Sequence, residues 1–423
     1  MSGNGTLIIG ASQAGLQLAV SLRQLGDTAP ITLVGAETHP PYQRPPLSKE
    51  FLTGTAGPDT LALRTPAFYT DNRIDLVCGE RITAVALPGP AGAGLAATAS
   101  GRELRFDRLA LTVGARPRRL PLPGAGLDGI CRLRDHADAA DLRRRLPSAR
   151  HVVVVGGGFI GLEAAAAARA LAGAASVTVV EAADRLMGRA VAPVVSEFYR
   201  RAHQRRGTEV RLATAVAAFE GAGGRVTAVR LTDGTLLPAD LVLVGAGVVP
   251  RTELAEQLGL AVDGGIVVDA YARTSDPSVV AAGDCTTRPH PLTGEGRFRL
   301  ESVQNAIAQA QVAAATLLGR FEETRTVPWF WSYQGDLKLQ MAGLSAGHDG
   351  YVVRGSLDDE KFSVLYYGHG RLLAVDAVNR PADYMAVRKA LGDGATIDPD
   401  RARDAEVPLK SLITTRVEAG LPA

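Results

Sequence analysis

VVVVGGGFIGLEAA, residues 152–165, runs from four β-branched residues through three glycines into a helix start. The apolar run suits a buried strand, and LEAAAAARALAG (162–173) suits a helix that Gly173 stops. SVTVVE (176–181) then gives a second strand ending in Glu181. Gly156, Gly158 and Gly161 have the G-x-G-x-x-G spacing. The first glycine permits a tight turn, the second lets the backbone approach a pyrophosphate, and the third lets helix and strand pack closely. The N–H groups and dipole at the helix start attract phosphate charge. Glu181, 20 residues after Gly161, is placed to accept the ribose hydroxyls of an adenosine.

The chain opens with the same arrangement. In LIIGASQAGLQLA (7–19) the turn is Gly10-Ala11-Ser12-Gln13-Ala14-Gly15, with Ser12 replacing the middle glycine. Its side chain intrudes where a pyrophosphate comes closest, although its hydroxyl can donate to a phosphate oxygen. Leu16, Ala19, Leu22 and Leu25 recur at helical spacing, and Gly26 is a natural stop. ITLVGAE then ends in Glu37, 22 residues after Gly15, again where a ribose acceptor belongs. Two dinucleotides on one chain can exchange a hydride, and the protein's task is to hold them together, because the cofactors carry the hard chemistry.

With 423 residues, 46% of them hydrophobic, the chain has room for two or three domains with sizeable cores. A net charge of +2 calls for neither a nucleic-acid nor a membrane partner. Two basic runs, RRRLPSAR (143–150) and RRAHQRR (200–206), read as solvated helix faces. MSGNG leads straight into a strand without a signal-like pattern, and the apolar tract 152–180 carries Glu163 and Arg169 among its glycines. A cytoplasmic location is expected. Cys78, Cys131 and Cys285 form no C-x-x-C pair, which argues against a redox disulfide and a thiolate metal site. Each reads as a small buried hydrophobe.

Short apolar runs separated by helices predict α/β architecture with two Rossmann-like units and parallel sheets covered on both faces. Between the units lie a Pro-rich loop, THPPYQRPPLSKEFL (38–52), and a segment read as flexible, GPAGAGLAATASG (89–101). LALTVGA, GAGVVP and SVVAAGDC look like strand ends, at Gly114, Gly247 and Gly283. From about residue 325, KLQMAGL alternates and FSVLYY-GHG-RLLAVDAV reads as a hairpin, predicting an antiparallel α+β domain.

The turns GASQAG and GGGFIG, the loop PYQRPPLSKEFL, LTVGA, SDPSVVAAGDC, ESVQNAIAQA and PWFWSYQGDLKLQMAGL together resemble the FAD-dependent NADH:ferredoxin reductases of the putidaredoxin reductase type. The resemblance runs in unbroken order from about residue 5 to 415. It implies a glutathione-reductase fold, with residues 1–116 and 248–325 as the FAD-binding domain, 117–247 as the NAD-binding domain and 326–423 as the C-terminal domain. It implies FAD on Gly10, Ser12, Gly15, Glu37, Arg44, Gly114, Gly283 and Asp284. NAD falls to Gly156, Gly158, Ile160, Gly161, Glu181, Arg185 and Gly247. Lys49 resembles a cation beside the flavin, Glu163 its partner near the site of hydride transfer, and Trp331 an aromatic residue at the flavin.

The implied activity is electron transfer from NADH through FAD to a small acidic [2Fe–2S] ferredoxin serving a cytochrome monooxygenase or a ring-hydroxylating dioxygenase. A rubredoxin reductase or an NADH oxidase is the alternative among enzymes. A protein using FAD and NAD only structurally, for interaction, is the alternative outside them. The sequence departs from the family at Tyr333, where an acid is common, and at Gly335, where a larger residue is common.

Overall fold

The computed structural model describes residues 3–89, 92–171, 176–289, 296–321 and 326–414. The chain divides into two compact units. The first comprises Met1–Arg44, Gly57–Arg116 and Val248–Arg325, and the second Pro45–Ala56, Pro117–Gly247 and Thr326–Ala423.

In the first unit, the TLII run forms the strand Thr6–Ile9 at the centre of a five-stranded parallel sheet. Ile31–Val34 and Ile74–Val77 lie in succession on one side, Arg108–Leu111 and Val279–Ala281 on the other. Successive side chains point to opposite faces, and both faces are covered. Ile8, Leu33, Ala110 and Val280 pack with Leu18 and Leu22 of the helix Gln13–Gln24 and with Ala310 and Ala313 of the helix Val303–Leu317. Leu7, Ile9, Leu109 and Leu111 pack on the other face with Ala96 and Phe106.

Ala96 belongs to Gly94–Thr98, part of the segment expected to be flexible. It is instead the middle strand of an antiparallel sheet between Ile82–Ala86 and Glu103–Phe106. A Cβ at Gly94 would lie 2.4 Å from the Phe106 ring, so this glycine serves close packing rather than mobility.

The second unit repeats the parallel sheet in the order Thr208–Arg211, Ser176–Val180, His151–Val155, Leu241–Val244, Ile130–Cys131. The helix Phe159–Leu171 follows its central strand; the expected stop at Gly173 lies outside the described residues. The C-terminal sheet is antiparallel throughout, in the order Trp329–Gln334, Leu337–Gly343, Arg371–Val378, Lys361–Gly368, Gly350–Ser356. The predicted hairpin is the pair Lys361–Gly368 and Arg371–Val378. Its first strand is buried almost end to end because both faces are covered. Val375 and Ala377 pack with Val387 and Ala390 of the helix Pro381–Gly392, and Phe362 meets Phe198 of the helix Pro193–Arg205 at 4.7 Å.

That last helix carries the basic run 200–206, which is more than a solvated face. His203 is buried, and Arg206 pairs with Asp336 at 2.9 Å and Glu360 at 2.5 Å. These bonds hold Glu360 well below the usual carboxylate range, at about 2. The run thus fastens the helix to the C-terminal sheet.

The Asp376 carboxyl is buried, and among the described residues no cation forms an ion pair with it. Asp376 accepts from the Tyr366 hydroxyl, which itself accepts from the Ala192 N–H at 3.2 Å. Burial raises Asp376 from 3.8 to about 7. Between about pH 4 and 7 the folded chain therefore holds more protons here than the unfolded chain, and this residue's contribution to stability falls as pH rises. Asp376→Asn keeps the acceptor and removes the titration. Urea unfolding should show the variant gaining little on the natural protein at pH 4 and up to about 4 kcal/mol at pH 7. A gain that does not change with pH would contradict this.

Candidate functional site

Two turns share one construction. In the first unit Gly10 has φ +120, and a Cβ there would lie 2.2 Å from the Thr112 carbonyl oxygen. In the second, Gly156 has φ +115, and a Cβ would lie 2.4 Å from the Gly245 oxygen. Only glycine fits either place. A Cβ at Gly15 would lie 2.1 Å from the Gly10 oxygen, and one at Gly161 the same distance from the Gly156 oxygen. Each helix therefore begins directly against the end of its strand, with its N–H groups turned toward a ligand.

In the first turn Ser12 stands at the helix N-cap but caps none of the helix N–H groups with its side chain. Its Oγ accepts from Arg44 Nε at 3.3 Å. Arg44 also binds the Glu37 carboxylate and the Tyr42 hydroxyl, and Tyr42 donates to Glu37 at 2.5 Å. Ser12, Glu37, Arg44 and Tyr42 thus form one half-exposed cluster beside the turn. Gly283, at φ +88, comes so near the same helix that a Cβ would lie 3.2 Å from Ala14 Cβ, with Asp284 next in the chain. Gln309 fixes this approach, accepting from Gly283 N at 2.9 Å and Thr286 Oγ1 at 3.0 Å. Gly114, φ +65, follows the strand beside Thr6–Ile9. An uncapped helix start, close glycine approaches and a carboxylate at the second strand suit the phosphates, backbone and ribose of FAD.

In the second turn nothing lies within 4 Å of a Cβ built at Gly158. The position matching Ser12 is therefore open, as a pyrophosphate requires. Glu181 accepts from Gly157 N at 2.6 Å and Ala183 N at 2.8 Å, which aims the carboxylate at the turn. Ile160 is 40% exposed on the first helical turn. Gly247 has φ +86, with the Arg189 guanidinium 3.8 Å from where its Cβ would be. Arg185 donates to the Val191 carbonyl at 2.6 Å and to the Gly188 carbonyl, shaping the loop after Glu181.

The second unit also holds a buried ion pair. Lys49 Nζ lies 2.6 Å from Glu163 Oε2, with side-chain exposures of 10% and 3%. Lys49 also donates to the Pro45 carbonyl at 3.1 Å. Ser48 donates to Glu163 Oε2 at 2.5 Å and Ser332 to Oε1 at 2.7 Å. Neither serine was singled out as a ligand of Glu163 in the sequence; Ser48 had no signal beyond its place before Lys49. Trp331 precedes Ser332 in the strand Trp329–Gln334, so the two side chains leave opposite faces. Its ring lies 5.6 Å from Trp329, and Phe330 stacks on Phe159 at 4.7 Å. Tyr333 lies under the Lys338 ammonium at 5.9 Å, and Gly335 occupies the hairpin turn at φ +65.

The three cysteines are free, and no group of potential metal ligands occurs among the described residues. No described helix is long and apolar enough to cross a membrane.

Residues 5–310 match the pyridine nucleotide-disulphide oxidoreductase family, and residues 329–413 match the reductase C-terminal domain. Rhodocoxin reductase of Rhodococcus erythropolis is 47% identical over 96% of this chain and 94% of its own. The ferredoxin reductase for the CYP199A2 system from Rhodopseudomonas palustris superposes with a TM-score of 0.91 at 42% identity, over 97% of this chain and all of its own. Putidaredoxin reductase in its covalent complex with putidaredoxin superposes with a TM-score of 0.90 at 41% identity, over 96% of this chain and 97% of its own. With both turns and 96% of the chain matched by such a relative, the chain belongs to the pyridine nucleotide-disulphide oxidoreductase family, among its FAD- and NAD-dependent ferredoxin reductases.

Proposed function

We propose that this chain carries electrons from NADH through FAD to a small acidic [2Fe–2S] ferredoxin that serves a cytochrome monooxygenase or a ring-hydroxylating dioxygenase, in the cytoplasm. The observation that carries the reading is the pair of like-built dinucleotide turns in a chain whose cysteines are all free. Electrons leaving such a chain have no disulfide to pass through. Bound FAD supplies the acceptance of two electrons together and their release singly.

In this reading residues 1–116 and 248–325 form the FAD-binding domain, 117–247 the NAD-binding domain and 326–423 the C-terminal domain. Gly10, Gly15 and the uncapped helix start hold the FAD pyrophosphate, with Ser12 free to donate because Arg44 occupies only its lone pair. Glu37 accepts from the ribose, and Gly283 and Asp284 meet the ribityl chain. Gly114 allows close backbone approach. Gly156, Gly158 and Gly161 hold the NADH pyrophosphate, Glu181 its ribose, and Ile160 and Gly247 border the nucleotide. Arg185 acts through the loop it shapes. Lys49, Glu163 and Trp331 stand beside the reacting rings, where a fixed cation and a fixed carboxylate balance charge without solvent.

Glu181 sets the coenzyme preference. A 2′-phosphate would meet its carboxylate at about 4 Å, a repulsion of up to about 4 kcal/mol at an effective dielectric of about 20. A third of that is roughly tenfold in affinity. NADH should therefore give at least about tenfold higher kcat/KM than NADPH, and Glu181→Ala should narrow the gap. Equal kcat/KM for the two coenzymes would contradict the assignment.

Exposed cations, Lys410 among them, should steer an acidic partner, and salt should screen that steering. NADH-driven turnover measured with a panel of ferredoxins and a rubredoxin should rise with at least one ferredoxin and fall with ionic strength. Full turnover on oxygen alone, unimproved by any ferredoxin, would replace this reading with an NADH oxidase.

A further inference from the structure

The hydrogen bonds around Glu163 continue beyond Lys49 into the C-terminal sheet. His203, 3% exposed on the helix Pro193–Arg205, has Nε2 2.8 Å from Gln334 Oε1. The Gln334 amide, 1% exposed, has its nitrogen 3.3 Å from Ser332 Oγ and 3.8 Å from Met187 Sδ. Ser332, fully buried, closes the chain on Glu163 Oε1. Five positions scattered from 163 to 334 thus share one buried polar line.

The bonds have a direction. An amide oxygen only accepts, so His203 Nε2 must carry the hydrogen. An amide nitrogen only donates, so Ser332 Oγ accepts from Gln334, and its own hydrogen is left for the carboxylate. With the amide reversed, its oxygen would compete with Glu163 Oε1 for the one Ser332 hydrogen. Either neutral tautomer of His203 suits one orientation only, so the tautomer reports which holds. Burial pushes the His203 pKa down, favouring a neutral ring. The same amide nitrogen reaches Met187, a buried residue at φ +50 whose N–H donates to the Gly157 carbonyl at 3.0 Å. A non-glycine residue held there is strained, and surrounding contacts must impose it.

We propose that Gln334 is a positioning residue: with His203 it fixes the direction of a hydrogen-bond chain that makes Ser332 a donor to Glu163 and so holds that carboxylate against Lys49. The amide also ties this chain to the loop beside the NAD turn. The effect on turnover rests on the placing of Lys49 and Glu163 beside the site of hydride transfer; the hydrogen-bond chain itself does not.

The test has two arms. Nitrogen-15 NMR of the histidine-labelled, FAD-loaded protein should show His203 as the neutral Nε2–H tautomer, whatever the enzyme's activity. The Nδ1–H tautomer would overturn the proposal. In anaerobic stopped-flow, Ser332→Ala should slow flavin reduction by NADH about tenfold, leave the Kd for NADH within about twofold, and be rescued by Ser332→Thr. Gln334→Leu, which leaves Ser332 its hydroxyl without the amide that orients it, should also slow reduction, by less than the alanine variant. A natural rate in Gln334→Leu beside a slowed Ser332→Ala, or an equal loss in the threonine variant that keeps the hydroxyl, would overturn it. The expected tautomer with an unchanged rate would leave the chain in place but reject its bearing on hydride transfer.

Discussion

The geometry of both nucleotide turns depends on the absence of one atom. A Cβ at Gly15 or Gly161 would sit 2.1 Å from the carbonyl oxygen of the turn's first glycine, less than any non-bonded contact allows. Without it, the helix starts against the tip of the central strand, and its unbonded N–H groups meet whatever lies beyond that tip. The sheets supply the rest. Each central strand is buried on both faces, which fixes its tip relative to its neighbours, and each neighbouring strand leads on to a carboxylate, Glu181 directly after Val180 and Glu37 three residues after Val34. Glu37 and Glu181 are therefore consequences of strand order as much as of residue choice.

Lys49 and Glu163 face a different constraint. Two opposite charges taken from water lose hydration that their mutual attraction restores only when geometry and further hydrogen bonds are good. Ser48, Ser332 and the Pro45 carbonyl supply those bonds, from two separate stretches of chain, the turn Pro45–Ser48 and the strand Trp329–Gln334. Removing one partner would strand a charge in the interior, so the segments that meet here must keep their registration. The strand Trp329–Gln334 does this while presenting Trp331 on its other face.

The glycine turns, the two acids, the parallel sheets and the C-terminal hairpin were legible because each is a local pattern: period, spacing and stop signal lie within some thirty residues. The Gly94–Thr98 strand was not, because glycine and alanine also suit a loop; only the Phe106 ring above Gly94 reveals the packing. The bonds of Arg185 to the loop carbonyls at Gly188 and Val191 were not legible from its position after Glu181. His203 sat in a run that looked solvated, and only the C-terminal sheet makes it interior. Gln334, Ser332 and Gln309 lie in stretches that resemble the family, but nothing local to them names their partners. Their roles arise from partners far along the chain, which no short pattern records.

The central claim is that two like turns hold two different dinucleotides, FAD and NADH. Anaerobic titration of the purified protein with NADH tests it most directly. The account predicts one FAD per chain, bleached completely by one equivalent of NADH. A folded protein that retains no FAD on reconstitution, or one whose bound FAD stays oxidised under excess NADH, would contradict it.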